Sequence, residues 1–231
     1  MIRRAFLGLT AAYVTSLLFP GLAYGRKNML YTFDDNPYDK ERMSKFIEIL
    51  KQNNLDSQFY FIGKGIKKFP ESVNYVLEQG YLVGWHSMHH DIMSKKNDKE
   101  FLEDVLEWKN VMNDVAHGYE PKYARFPYGS GTVKQIEILK EEGLILQKCA
   151  TKTERPSLNW DISSEDWNPY RVRSAKEISK LAGKINSNNQ IVLLLHLTLD
   201  KPFITKNEAT VDSLITSDLE RFQGPISELN K

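Results

Sequence analysis

Short apolar segments alternate with longer segments whose apolar residues recur at helical spacing, and this alternation constrains the fold more than any other feature of the chain. The first segment, Leu30-Tyr31-Thr32-Phe33, runs into Asp34-Asp35-Asn36-Pro37. Met43, Phe46, Ile47 and Leu50 then mark one helical face, residues 58–62 read as a strand closed by Gly63, and residues 70–79 read as a helix that opens at Pro70 and ends near Gly80. A third strand spans 81–85, and Phe101, Val105, Trp108, Met112 and Val115 line one face of a long helix that stops before Gly118. Pro121 leads into a fourth strand ending at Arg125, a helix spans 132–142, and 145–150 is strand-like. Ser174 caps a helix carrying Ile178, Leu181, Ala182 and Ile185, and 191–195 is an apolar run of the kind found in buried strands. Strand followed by helix, repeated, predicts an α/β fold with a parallel sheet or barrel. Beyond Asp200 the pattern weakens to a helix over 211–222, preceded by a loop at 203–209 with no evident role.

The N-terminus stands outside this alternation. Met1-Ile2-Arg3-Arg4 precedes an uncharged run that is broken at Phe19-Pro20-Gly21 and ends at Ala23-Tyr24-Gly25 before Arg26-Lys27. This reads as a secretory signal peptide over 1–25, cleaved before Arg26, with the domain occupying 26–231. Arg3-Arg4 also resembles a twin-arginine export signal, and an uncleaved anchor is the alternative, because the run is about long enough to span a bilayer. The expected location is therefore periplasmic or secreted, or membrane-anchored if the segment is retained, with no stable membrane insertion once it is removed. A formal net charge of +1 and the lack of a basic block give no basis for a nucleic-acid partner, and no heptads or repeats point to assembly, so a monomer is expected. Cys149 is the single cysteine, so an exported domain of this kind has no internal disulfide and relies on packing or metal.

The chemistry-bearing residues fall at the ends of the predicted strands, where catalytic groups collect on α/β scaffolds. Asp34 and Asp35 are neighbours and would face opposite sides of a regular strand; a bend at Asn36-Pro37 is expected to bring them into one site. On their own, two acids at a strand end are equally a solvated turn or a helix cap. Of the five histidines, His86, His89 and His90 follow the third strand and His196 follows the last. Imidazoles at 86 and 90 have the spacing of ligands on one helical turn, and with Asp35 they would form a two-histidine, one-carboxylate site. A histidine-rich surface loop is the competing reading.

Five short motifs occur in order: Thr32-Phe33-Asp34-Asp35; His86-Ser87 with His90; Arg125-Phe126-Pro127-Tyr128-Gly129; Asp161 to Asp166-Trp167; and Leu194-Leu195-His196. In this order and spacing the sequence resembles the NodB-type polysaccharide deacetylases of carbohydrate esterase family four. The resemblance implies a distorted (β/α) barrel of the NodB-homology type and removal of acetyl groups from N-acetylated amino sugars of a cell-envelope or extracellular polysaccharide, with peptidoglycan and poly-N-acetylglucosamine as substrates in view. It further implies Asp35, His86 and His90 as ligands of a divalent metal, zinc first, with cobalt, nickel and manganese as alternatives. A metal there would lower the pKa of a bound water and polarise the scissile carbonyl. By the same resemblance Asp34 is the general base, Arg125 orients it, the Tyr128 amide N–H donates to the oxyanion, and His196 is the general acid. Tyr128, Trp167 and Leu194 are implied substrate contacts, Leu194 lining the pocket for the acetyl methyl and Trp167 offering a wall for a sugar ring. From the residues alone Leu194 is equally a core position, as are Trp85, Trp108 and Trp160.

The chain departs from the family at three places. Ser163 stands where many members carry the acid that tunes the catalytic histidine, so Asp161 or Asp166 would have to take that part. Asn36 replaces the commoner glycine after the aspartates, and His89 has no assigned role. Two other functions fit the same residues: an O-acetyl esterase using the same machinery, and a non-catalytic carbohydrate-binding relic.

Overall fold

The computed structural model describes residues 29–52, 55–168, 173 and 175–197. The leader over 1–25, the cap at Ser174 and everything expected beyond residue 197 lie outside the described residues. Seven strands form one sheet: β1 Met29–Asp35, β2 Ser57–Phe61, β3 Leu82–Trp85, β4 Tyr123–Ala124, β5 Ile145–Leu146, β6 Ile162–Ser163 and β7 Ile191–Leu197. They are ordered β5-β4-β3-β2-β1-β7-β6, and every pairing is parallel. The helices are α1 Lys40–Gln52, α2 Gly63–Lys68, α3 Pro70–Glu78, α4 Asp98–Val115, α5 Val133–Glu141 and α6 Ala175–Lys184. This is the distorted (β/α) barrel that the resemblance implies, open between β5 and β6.

The strands and helices follow the hydrophobic pattern closely. α1 buries Met43, Phe46, Ile47 and Leu50, and α4 buries Phe101, Val105, Trp108 and Met112, as their spacing predicts. α4 and α5 each begin with a capping box, Asn97 with Glu100 and Thr132 with Gln135, which satisfies backbone donors that a helix start leaves orphaned. Three local features differ from expectation. The strand predicted over 145–150 stops at Leu146, β6 was not foreseen because two residues carry no periodicity, and Gly63 opens a short helix rather than only closing a strand.

Alternation along the strands divides the sheet into an aromatic outer face and a polar interior. Phe33, Phe46, Phe59 and Tyr81 pack ring against ring on the helix side, and Trp85, Phe101 and Phe126 form a second aromatic group there. The inward residues stack in register: Gln58, Thr32 and Leu194 at one level, then Gly84, Tyr60, Asp34 and His196 at the next. Gly84 makes room at that level, since a Cβ there would lie 2.6 Å from the Tyr123 carbonyl and 2.9 Å from the Tyr60 ring.

The Asp161 side chain spans part of the open side. One Asp161 carboxylate oxygen accepts from Ala150 N–H at 2.9 Å and Val192 N–H at 2.8 Å, while the other accepts from Thr151 N–H and Oγ1 at 2.6 Å each. Asp161 thereby ties the segment after β5 to β7.

Candidate active site

The C-terminal ends of β1, β3, β4 and β7 deliver the residues singled out in the sequence to one rim. Asp34 and Asp35 share it because Asp35 itself adopts φ 85°, a left-handed conformation that turns its side chain away from the strand alternation. The bend thus lies one residue earlier than the Asn36-Pro37 turn predicts.

His86 and His90 converge by a different route from the one their spacing suggests. Residues 86–90 form no helical turn; Ser87 and His90 both have positive φ, 62° and 63°, and the loop between them is tightly folded. The Ser87 hydroxyl accepts from His90 N–H at 2.7 Å, and the Met88 N–H donates to both oxygens of buried Asp104 on α4, at 3.1 and 3.2 Å. Gly63 N–H and Lys64 N–H donate to the Ser87 and Met88 carbonyls, which ties the loop to the start of α2. His86 Nδ1 lies 2.9 Å from the Arg125 carbonyl, so it donates there and leaves Nε2 as an acceptor. Tyr128 Oη lies 3.1 Å from His90 Nδ1 and can accept from it, which would leave that ring's Nε2 as an acceptor as well.

The two Nε2 atoms point at Asp35, 3.7 Å from its Oδ1 for His86 and 3.3 Å for His90. That oxygen is buried and forms no hydrogen bond, and one ligand atom from each of the three residues lies within 4.8 Å of the others. An orphaned carboxylate oxygen facing two neutral-capable imidazoles is the donor set a divalent cation needs. Protonation states agree with this fit. Burial, reinforced by His86, lowers His90 to about 4, with Asp35 and Asp34 opposing. Burial alone would raise the Asp35 carboxyl, but the neighbouring His86 imidazole, with His196 and His90, carries it down to about 2.

Asp34 is held differently. Arg125 is fully buried in the barrel, its guanidinium 4.2 Å over the Tyr60 ring, and its Nη1 donates to Asp34 Oδ1 at 2.8 Å and to Thr32 Oγ1 at 2.7 Å. The remaining donors reach Asn159, Nε to its side-chain oxygen and Nη2 to its carbonyl, each at 3.3 Å. Asn159 Nδ2 in turn donates to the Ala124 carbonyl at 3.0 Å. Thr32, which the first motif includes, Tyr60, Asn159 and Asp104 support the site; nothing in the local sequence of the last three marks them, and only the inward register of β2 could have found Tyr60.

Across the rim, His196 Nδ1 lies 2.7 Å from Asp166 Oδ1, and the His196 backbone N–H donates to Asp166 Oδ2 at 2.8 Å. Burial works against the charged ring, but the bond to Asp166 and the charges of Asp166, Asp34 and Asp35 raise His196 to about 9. Of the two acids considered as its partner, the structure brings Asp166 to the histidine and commits Asp161 to the barrel seam. Tyr128 sits at φ 58°, and the residue is 62% exposed. The amides that follow it are used, Gly129 to the Phe126 carbonyl and Ser130 to the Pro127 carbonyl, whereas the Tyr128 N–H bonds to no backbone carbonyl among the described residues. Trp167 is 47% exposed, Leu194 is buried on the same face as His196, and His89 is exposed away from the cluster. Trp85 and Trp108 are core, and Trp160 is half-buried beside Arg125.

An all-parallel open barrel with this rim of Asp, His and Arg groups defines the carbohydrate-esterase class of α/β proteins. The family pattern described as Polysaccharide deacetylase matches residues 22–146, more than half of the chain, and the chain belongs to that family. A peptidoglycan-N-acetylglucosamine deacetylase of Bacillus cereus (strain ATCC 14579) is 31% identical over 144 residues, which cover 62% of this chain and 48% of that protein. The chain therefore spans about half the length of that curated relative. Among solved structures, a peptidoglycan N-acetylglucosamine deacetylase in complex with 4-naphthalen-1-yl-N-oxidanyl-benzamide superposes with a TM-score of 0.64 at 25% identity, covering 89% of this chain and 83% of that one. A family-four pseudoenzyme from Bacillus anthracis shares the fold with a TM-score of 0.59 at 15% identity, covering 86% and 62%.

Proposed function

We propose that this protein is a metal-dependent hydrolase that removes N-acetyl groups from N-acetylglucosamine-type residues of a cell-envelope polysaccharide, with peptidoglycan favoured by the names of its relatives. The observation that carries the reading is the orphaned Asp35 oxygen facing His86 and His90, flanked by an arginine-held carboxylate on one side and an aspartate-held imidazole on the other. A fold shared with a pseudoenzyme does not by itself argue for catalysis. The retained Asp34, Arg125 and His196 do, since sugar binding alone needs none of them.

Asp35, His86 and His90 would hold a divalent metal, which would supply Lewis acidity to the acetyl carbonyl and to the attacking water. Asp34, kept in place by Arg125, which Thr32 helps to hold, accepts the proton that the water gives up as its oxygen bonds the acetyl carbon. The Tyr128 N–H, which bonds to no backbone carbonyl among the described residues, would donate to the carbonyl oxygen as it gains charge. His196, charged at neutral pH because its pKa lies near 9, gives a proton to the amine nitrogen as the C–N bond breaks, and acetate and a free amino sugar result. Leu194, buried beside His196, suits the acetyl methyl, and Trp167 suits stacking on a sugar ring.

Zinc is the first candidate metal, and the expected site of action is outside the cytoplasm, with a leader over 1–25. Among the described residues no helix is long and apolar enough to cross a membrane. Purified protein supplied with zinc or cobalt is expected to release acetate from N-acetylglucosamine oligomers, and His86→Ala to lose both metal and activity. No acetate from either an oligomer or an acetylated ester sinks the reading, and acetate from the ester alone selects the O-acetyl esterase.

A further inference from the structure

We infer that the N-terminal mouth of the barrel, the end opposite the rim of Asp and His groups, is a second carbohydrate subsite that takes one uncharged sugar ring. The inference rests on the polysaccharide substrate proposed above, and it needs no part of the chemistry at the rim. The strands begin around a solvent-open cavity of about 340 Å³, which Gln58 lines from β2, Tyr123 from β4, Gln147 from just beyond β5 and Gln190 from the approach to β7. That volume is at the low end of small-molecule pockets, about 300–1,000 Å³, so it admits a single ring and leaves the rest of a polymer outside.

The lining suits a ligand rich in hydroxyls. Gln58 is 3% exposed, and its Nε2 has no hydrogen-bond partner. Tyr60, the next inward residue of β2, is fully buried one level deeper, and its Oη has none either. A buried polar atom left unpaired is unfavourable, so a hydroxyl that reaches Gln58 gains more than one that meets an already paired group. Gln147 adds a second side-chain amide, and an amide can donate to one hydroxyl and accept from its neighbour, the pattern that adjacent hydroxyls on a sugar present. Tyr81 and Tyr123, both half-buried in the lining, offer aromatic surface to the C–H face of the ring. Charge then selects among sugars. Asp56 is the single charged residue of the lining, held at the mouth by Gln190, whose Nε2 donates to its Oδ2, and by Tyr31 N–H, which donates to its carbonyl at 2.9 Å. With one carboxylate and no lysine or arginine lining the cavity among the described residues, the site repels an anionic sugar and accepts a neutral one such as N-acetylglucosamine.

The test titrates the metal-free, isotope-labelled full chain with N-acetylglucosamine and, separately, with N-acetylmuramic acid, and follows the backbone and glutamine side-chain amide signals. The Gln58 and Gln147 side-chain amides and the Leu82 backbone amide are expected to shift together and to saturate at roughly millimolar N-acetylglucosamine, the affinity that one sugar ring supports. N-acetylmuramic acid, with its carboxylate, is expected to bind at least about tenfold more weakly there. Gln147→Ala and Gln58→Leu are each expected to weaken the N-acetylglucosamine titration about tenfold, with the signals of the 86–90 loop unchanged. Gln58→Leu keeps the buried volume while removing the unpaired amide, so a loss of binding in it is not a loss of the fold. No shift at these residues at tenfold the expected concentration overturns the inference, as do wild-type titrations in both variants or equal binding of the two sugars. Failure of the wild type to release acetate from N-acetylglucosamine oligomers would end the proposed catalysis, whereas the titration, which uses neither metal nor turnover, still decides the subsite.

Discussion

Arg125 is the residue whose replacement should cost most for the least change in charge. It uses three nitrogens on four acceptors and lies flat on Tyr60, so a lysine would keep the positive charge and lose the fork and the stacking. Arg125→Lys is expected to unfold at lower urea, by about 2 kcal/mol, and to drop kcat about 100-fold, since breaking a buried pair leaves Asp34 and Asn159 without full partners. Wild-type activity in that variant would remove Asp34 from its assigned part. At this scale the sequence was informative about which residues meet and silent about what holds them. Asp34, Asp35, His86, His90, Arg125 and His196 are each marked by a motif, whereas Asn159 looks like any loop asparagine, and the motif that includes Thr32 does not say that it holds Arg125. The position of the bend was misread because asparagine is the commoner left-handed residue, and the structure places that conformation on Asp35.

The loop over 86–90 is a structural element without regular secondary structure, and its rigidity is borrowed. Asp104, a buried acid on the otherwise apolar face of α4, spends both oxygens on the Met88 amide, and Lys96 lies 3.8 Å from it. Asp104→Ala would leave that amide buried and unpaired, costing about 1–3 kcal/mol, and would loosen the two imidazoles. The expected result is zinc affinity reduced roughly 10- to 100-fold, read by competition with a chelating dye, with α4 intact by circular dichroism. Helix α4 was legible from Phe101, Val105, Trp108 and Met112, but Asp104 was invisible within the same pattern, because periodicity registers apolar residues and an acid on that face reads as a solvated turn. The helical spacing of His86 and His90 gave the right pair by the wrong geometry: two positive-φ residues, not a helix, bring the rings to 5.1 Å between centroids.

For the whole molecule, the polar interior makes stability respond to pH. His196 is raised from 6.5 to about 9, so its charged form stabilises the folded state fully below pH 6.5, and that stability is lost as pH rises through 9. The shift corresponds to about 3 kcal/mol at most. In metal-free protein, the difference in urea stability between wild type and His196→Ala is expected to shrink by up to about 3 kcal/mol from pH 6 to pH 10. A difference independent of pH would mean that the Asp166 pair does not hold charge on the ring. Asp35 acts in the opposite sense: its carboxyl, lowered to about 2, contributes stability above pH 3.8 that fades as the solution is acidified toward 2. The alternation of strands and helices made the barrel legible, but not where it stays open, because β4, β5 and β6 are each two residues long and too short to carry a period.

That opening gives Asp161 a kinetic role. Between β1 and β2 the amide protons are shielded by the neighbouring strand, and exposing them requires strands to part. At the seam the amides of Ala150, Thr151 and Val192 are all shielded by one side chain, which a single rotamer change can withdraw. These three protons should exchange with deuterium together, ahead of those between β1 and β2, and Asp161→Ala should speed all three while leaving the central strands unchanged. The barrel would then breathe along one line, beside β7 and the histidine at its end.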